Sequence, residues 1–309
     1  MNKSIIYLNL QGRIGNQLFQ YALAHVIQLK MKNNYKIVVD DSRVKRNGWV
    51  NSLEFYNLPN AQFVHSSVLR RDLLISRTNF LRLFYKICTY FLNYNQKFAF
   101  EKLIFKFYER QGVIICENGF IDINFDLLKS NSIYLEGYFQ SEKFFYEYKN
   151  EIKSLFNGSQ FNNLLYYPGI KEIINRNSVC ISVKVEHSVG NTIHNVCNLE
   201  YWKKAISYII DKVDNPLFFI CSDNVEYVVN NLIDIKKFDC IFQDKNSPAH
   251  ISLAAMSKCK HFIIGNPSFG WWAQYLSTNS NKIVCAPSKW FAVDMPVDIY
   301  QDNWTIIDV

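Results

Sequence analysis

Two short glycine-bearing segments hold the residue types that could bind a charged or hydroxyl-rich ligand. Gly12-Arg13-Ile14-Gly15-Asn16-Gln17 stands between an apolar run and a helical pattern. Its glycines let the backbone come close to a ligand, and Asn16 at the helix start, with Arg13 beside it, can donate to sugar or phosphate oxygens. The spacing is not G-x-G-x-x-G, so a dinucleotide is not indicated; a structural turn and a ligand site both fit these residues. Asn266-Pro267-Ser268-Phe269-Gly270-Trp271-Trp272 follows a second apolar run. Asn266 suits an N-cap and Pro267 the first helical position. Amides at that helix start suit a diphosphate, and a well-capped core helix is the alternative. Of the two adjacent tryptophans, one is expected in the core and one at a cleft. Metal chemistry has no comparable signal. No Asp-x-Asp triplet occurs to hold Mn²⁺ or Mg²⁺, and Asp40-Asp41 reads as a solvated strand end. No two of the 8 cysteines stand at C-x-x-C spacing, so a zinc site is not expected and the cysteines read as buried reduced thiols.

Both segments must be positioned by the elements around them. Ser4 to Leu10 reads as a buried strand, Leu18, Tyr21, Ala22, His25, Val26 and Leu29 recur at helical spacing, and Lys36 to Asp40 reads as a second strand. Strand, glycine turn, helix and strand make a βαβ unit. The alternation returns late, with strands at 179–185, 217–221, 240–243, 261–265 and 282–286, and helices at 199–213, 224–232, 251–256 and 268–276. The 217–221 strand ends in Ser222-Asp223. The expected architecture is α/β in two domains, 1–165 and 175–309, joined within 157–177, where Gly158, Ser159, several Asn, Pro168 and Gly169 gather.

Composition agrees with two globular domains. The 309 residues are 49% hydrophobic and 20% charged, with a net charge of +7 that favours anionic ligands mildly and does not by itself argue for nucleic acid. The first residues have too short an apolar run for a signal peptide, and no apolar run approaches the ~20 residues of a transmembrane helix. A reducing cytoplasmic location is therefore expected. Residues 66–110 stand apart, with nine basic residues (Arg70, Arg71, Arg77, Arg82, Lys86, Lys97, Lys102, Lys106, Arg110) against Asp72, Glu101 and Glu109. Phe80, Leu83, Phe84, Ile87 and Phe91 fall at helical spacing among them. An amphipathic helix packed on its own domain with a solvated basic face fits this pattern, and so does a peripheral contact with anionic lipid headgroups.

The motifs resemble those of the bacterial α-1,2-fucosyltransferases, glycosyltransferase family 11. Gly12 to Tyr21 resembles G-x-[LI]-G-N-Q-[LM]-F-Q-Y. Gly137 to Phe145 resembles G-Y-[FW]-Q-S-E-K-Y-F, and His194 to Ile206 resembles H-G-V-C-x-L-x-Y-Y-x-x-A-I. Met256 to His261 with Asn266 to Trp272, and Ala286 to Phe291, resemble the family's M-S-x-C-K-H-x-I-I-A-N-S-S-F-S-W-W and A-P-x-x-W-F. The matches run in order over nearly the whole chain. The resemblance implies two facing Rossmann-like domains, the GT-B arrangement, with no metal and no cofactor beyond the donor. It implies inverting transfer from GDP-β-L-fucose to a galactoside, in surface-polysaccharide assembly, the acceptor mostly against the first domain and the nucleotide against the second.

On that basis Asn266, Pro267, Ser268 and Phe269 are expected at the diphosphate, with Ser222, Asp223 and His194 lining the donor pocket, and Asn16 and Arg13 facing the cleft. One motif departs. The family's H-x-R-x-G-D at the end of the second domain's first strand is replaced by Lys184-Val185-Glu186-His187-Ser188-Val189. A glutamate in place of the arginine reverses the charge beside the diphosphate, which at ~4 Å and an effective dielectric of ~20 is worth about 4 kcal/mol per charge. Lys184, His187, Arg13 or His194 would then supply the cation, and Glu186 could be the base. A donor other than GDP-fucose, and a non-catalytic glycan or nucleotide binder, are the alternatives. The expected partners are a nucleotide sugar and a galactose-containing or lipid-linked glycan, with a possible membrane contact and no nucleic acid.

Overall fold

The computed structural model describes residues 4–32, 34–65, 76–157, 164–188, 192–231 and 238–309, so Arg70, Arg71, Asp72, Gly158, Ser159 and Val189 lie outside the described residues. The side chains of Arg77, His187 and Ser188 lie outside them as well. The chain divides into two compact units, Met1–Leu155 with Asp294–Ile299, and Phe156–Val293 with Tyr300–Val309. The change of unit falls just before the 157–177 stretch, and no sequence feature announced the return of 294–299 to the first unit.

In the first unit, β1 (Ser4–Asn9) is followed by α1 (Ile14–Lys30), β2 (Tyr35–Asp40), α2 (Ser42–Arg46) and β3 (Ala61–Val64). Then come α3 (Ser76–Thr89), α4 (Tyr94–Arg110), β4 (Val113–Cys116), β5 (Ser132–Gly137) and α5 (Lys149–Phe156). The strands are all parallel, in the order β3-β2-β1-β5-β4. Apolar runs such as Ile6-Tyr7-Leu8 and Val113-Ile114-Ile115 suit strands covered on both faces. Gly137 has φ +152°, and a Cβ there would sit 1.9 Å from the Cys116 carbonyl oxygen, so β4 and β5 can lie this close only with glycine at that position. The returning segment is tied in by polar contacts: Asp298 accepts from Ser141 Oγ and Lys143 Nζ, both at 2.9 Å, and Asp294 accepts from Asn95 at 2.7 Å.

Two expectations fail in this unit. Asp40 and Asp41 are buried rather than solvated. Asp40 accepts from the Tyr7 hydroxyl and from the Ser42 amide, and Asp41 accepts from Asn51 Nδ2 at 3.0 Å with the Lys45 ammonium 3.3 Å away. The second failure is α3, whose orientation is the reverse of a packed amphipathic helix. Phe80, Leu83, Phe84 and Ile87 point to solvent, while Leu81, Tyr85 and Arg82 are buried. Arg82 is therefore no part of a solvated basic face. Its Nε donates to Glu136 at 2.9 Å and its guanidinium lies 4.6 Å from the Tyr134 ring centroid.

In the second unit, α6 (Ile170–Asn175) precedes β6 (Ser178–Val183), α7 (Val185–Ser188), α8 (Leu199–Lys212), β7 (Leu217–Ser222), α9 (Val225–Asn231) and β8 (Cys240–Phe242). The series ends with α10 (Ala249–Met256), β9 (His261–Ile264), α11 (Ser268–Leu276), β10 (Val284–Pro287) and β11 (Thr305–Ile307). These strands too are parallel, in the order β11-β10-β9-β6-β7-β8. That is the doubly wound order, in which the first strand of the unit lies centrally and later strands add on both sides. β6 stops at Val183, and Val185, expected in the strand, opens a helical turn instead. α8 is caught at its start by Asn198, whose side chain accepts from the Tyr201 amide at 2.9 Å, and it buries Tyr201, Trp202, Ala205 and Ile209. All 8 cysteines are free thiols, six of them buried.

Candidate active site

In open parallel sheets the carboxyl ends of the strands on either side of the order reversal leave a crevice, and ligands bind there. In the second unit that reversal falls between β6 and β9. It brings Lys184 and the first turn of α7 beside the 265–268 loop and the start of α11. Ser222 and Asp223 come from the end of the adjacent β7. The sequence-predicted donor residues therefore converge on one sheet edge.

Asp223 organises the charged part of this edge. Its carboxylate accepts from the Val185 amide at 2.6 Å, the Glu186 amide at 3.1 Å and Lys184 Nζ at 3.0 Å. Lys184 Nζ also donates to Glu186 at 2.7 Å. Burial alone would raise the Asp223 carboxyl, but the Val185 amide, Lys184 and the Glu186 amide outweigh it and the net shift is downward. Asp223 thus stays ionised and caps α7, and Lys184 stands between two carboxylates. Ser222 Oγ accepts from the Asn224 amide at 3.0 Å.

The 266–269 segment departs in detail from the expectation. Helix α11 begins at Ser268 with Pro267, not Asn266, in the cap position, no side-chain cap, and no acidic residue in its first turn. Asn266 is buried and ties loops together, its Nδ2 donating to the His194 carbonyl at 3.0 Å and the Trp290 carbonyl at 2.9 Å. Pro267, Ser268 and Phe269 are half-buried. Gly270 packs on β6, where an added Cβ would lie 3.0 Å from Ser182 Oγ. Both tryptophans are fully buried, so neither faces a cleft. Trp271 stacks on Tyr275 at 4.8 Å, and Trp272 meets Phe156 edge-on at 5.3 Å. His194 lies 5.4 Å from the Phe291 ring, and burial pushes its pKa below the usual imidazole value. That shift favours the uncharged ring over the cation.

The first sheet reverses order between β1 and β5, and its strand ends are furnished with carboxamides. Asn16, in the first turn of α1, accepts from Gln140 Nε2 at 2.7 Å. Gln17 is fully buried and donates to the Gly12 and Val50 carbonyls, both at 2.9 Å, while its Oε1 accepts from the Ser52 amide at 2.8 Å. Gln20 closes the same turn, giving to the Gln11 carbonyl at 2.8 Å and taking from the Gln11 amide at 3.0 Å. Gly12 sits at φ +75°, where an L side chain is strained, and a Cβ there would lie 2.9 Å from Asn16 Cβ. Arg13 is exposed, 6.0 Å from the Trp49 ring centroid. The glutamines are the scaffold of the turn, and Asn16 and Arg13 are what it presents. Gln140 was not among the expected site residues, although it lies in the G-Y-F-Q segment quoted for the resemblance.

Ligand-type groups also gather on the β2 and β3 ends. Asp41, Glu54 and His65 place oxygen and nitrogen atoms within 4.8 Å of one another. The Lys45 ammonium, 2.7 Å from His65 Nδ1, puts a positive charge in their midst. Among the described residues no helix is long and apolar enough to cross a membrane.

The geometry can be set beside known proteins. The sequence pattern of glycosyl transferase family 11 matches residues 5–308. The O-antigen biosynthesis glycosyltransferase WbnK of Escherichia coli is 27% identical over 97% of this chain and 99% of its own. An alpha-1,2-colitosyltransferase of Escherichia coli is 26% identical over 93% of each chain. Fucosyltransferase NodZ from Bradyrhizobium superposes with a TM-score of 0.53 at 11% identity, over 90% of this chain and 94% of that one. A mutant of Arabidopsis thaliana FUT1 in complex with GDP superposes at 0.51 with 12% identity, over 92% and 70%. These two likenesses are of fold, the two parallel α/β sheets of GT-B fucosyltransferases. A match that runs through both sheets, with the Gly12, Gly137 and Asn266 motifs at or just past the carboxyl ends of β1, β5 and β9, places the chain in glycosyl transferase family 11, and it is a glycosyltransferase.

Proposed function

We propose that this glycosyltransferase moves L-fucose from GDP-β-L-fucose to a galactoside hydroxyl, with inversion and an α-1,2 linkage, in surface-polysaccharide assembly. The observation that carries the reading is the β6/β9 reversal, with the start of α11 at its mouth and no carboxylate in that helix's first turn. The positive end of a helix dipole and the amides of Ser268, Phe269 and Gly270 suit a diphosphate, and they do so without a divalent cation. The names of the two relatives, an O-antigen glycosyltransferase and an α-1,2-colitosyltransferase, support the product class. Asn16 and Arg13 offer hydrogen bonds to acceptor hydroxyls.

The reaction asks for two things of the protein. The acceptor oxygen attacks the anomeric carbon as the bond to the β-phosphate oxygen breaks. The electron pair leaves with GDP, and the hydroxyl proton passes to a base. Negative charge grows on the diphosphate, where fixed amide donors are most effective. Glu186 is the candidate base, held by Lys184 at 2.7 Å. Lys184 is thus a positioning residue for Glu186, and its ammonium remains within reach of an incoming phosphate.

A second reading keeps the chemistry and changes the sugar. One lysine set against Glu186 and Asp223 is a different charge balance from the H-x-R-x-G-D of the resemblance, and one relative is named for colitose. Turnover measured with GDP-, UDP- and dTDP-sugars, each with and without EDTA, separates the two. Turnover of GDP-fucose that survives EDTA is expected. A preference for another sugar selects the second reading, and activity that needs Mn²⁺ restored after EDTA overturns the metal-free diphosphate site.

A further inference from the structure

We propose that the outward face of α3 and α4 is a docking surface for an anionic lipid bilayer. Phe80, Leu83, Phe84 and Ile87 make one exposed stripe along α3, Tyr90 and Phe91 continue it at the corner, and Leu103 and Phe107 are exposed on α4. Phe91 is 91% exposed and Leu103 80%. A single exposed leucine needs no account, whereas eight large apolar side chains on two consecutive helices and the corner between them do.

Charge identifies the occupant. Lys86, Lys102, Lys106 and Arg110 are exposed on these helices. The only acidic residues from 78 to 110, Glu101 and Glu109, are both buried, Glu101 accepting from the Tyr85 hydroxyl at 2.6 Å and Glu109 from the Asn124 amide at 2.6 Å. Among the described residues, the exposed charges of α3 and α4 are therefore all positive, and they stand among the apolar and aromatic side chains, with Asn79, Asn95 and Gln96 as neutral polar neighbours. Aromatic rings insert at the headgroup boundary while basic residues are drawn to anionic lipid. A second copy pairing through the same face would set lysine against lysine, which opposes a two-fold interface. The surface is independent of which sugar is transferred.

Flotation of the full chain with phosphatidylcholine vesicles, with and without phosphatidylglycerol, tests the proposal. Binding is expected to the anionic vesicles at low salt, weakening tenfold or more at high salt or on neutral vesicles. Each basic residue near an anionic surface is worth about five-fold, so K102Q with K106Q and R110Q should weaken binding about a hundred-fold. Phe80→Ser with Phe91→Ser should abolish binding at low salt without lowering the melting temperature. Wild-type protein that ignores anionic vesicles, or variants that bind as wild type does, would overturn the proposal. So would a wild-type dimer that Phe80→Ser with Phe91→Ser splits while vesicle binding is absent.

Discussion

At the β1/β5 reversal, apart from the exposed Arg13, the turn is built on neutral carboxamides: Asn16, Gln17, Gln20 and Gln140 hold one another and the neighbouring backbone. At the β6/β9 reversal the strand-end side chains are ionic: Lys184, Glu186 and Asp223 share one ammonium between two carboxylates. The two sheets solve the same problem, fixing loops at a crevice, with chemistry of different responsiveness. A carboxamide lattice carries no titratable group and is indifferent to pH. An ion cluster shifts its balance when a phosphate arrives or a proton is exchanged. Rigidity therefore belongs to the β1/β5 reversal and adjustable charge to the β6/β9 reversal.

Gln17→Ala should be the most damaging change to stability. It strands the Gly12 and Val50 carbonyls and the Ser52 amide, and at roughly 1 kcal/mol or more for each buried group the loss is about 3 kcal/mol or more. Denaturant unfolding measures it, and a loss below about 1 kcal/mol would mean that the lattice is not what holds the turn. Asn266→Ala comes next, at about 2 kcal/mol, because it unties the Trp290 and His194 carbonyls. GDP affinity should fall with it as the loop shifts. Ser268→Ala, in contrast, keeps the helix-start amide and removes a hydroxyl placed to donate to the diphosphate in the proposed complex, so it should weaken GDP binding about ten-fold with the melting temperature unchanged. Equal behaviour of the two variants would erase the distinction between a tie and a ligand contact.

Glu186→Gln should change stability least, since the Lys184 pair lies near the surface and is worth under about 1 kcal/mol. Turnover should nevertheless drop a hundred-fold or more while GDP binding holds. Undiminished turnover would remove Glu186 as the base. The acid limb of stability offers a finer probe. Asp223 ionises more readily in the folded chain than in the unfolded one, so its contribution is present above the ordinary aspartate pKa and is lost as pH falls through the lower folded value. Lys184→Ala removes one cause of that depression and should flatten the decline in melting temperature below about pH 4. A decline as steep as wild type would mean that Lys184 does not hold Asp223 ionised.

The wound sheets were legible because their strands are short apolar runs separated by helical periods, and the family motifs marked the strand ends. Direction was not legible. The spacing of Phe80, Leu83, Phe84 and Ile87 reveals a stripe and says nothing of which way it points. The deciding partner, Glu136, lies 54 residues from Arg82. Asp40 and Asp41 looked solvated for the same reason, since Tyr7 and Asn51 reach them from other elements. Helical geometry on its own separated Trp271 from Trp272, and only tertiary packing, with Tyr275 on one and Phe156 against the other, buries both. Asn266 has the residue type of a cap, and its real partners, the carbonyls of His194 and Trp290, are distant in sequence.

The return of residues 294–299 to the first unit has a consequence for biosynthesis. Ser141 and Lys143 find Asp298 only after every strand of the second sheet but β11 has been translated. A ribosome that has released Leu155 has therefore not released a finished first unit. The nascent half waits with those positions unfilled through synthesis of nearly the whole second sheet, and a cut between the units would leave the first half without its closing segment.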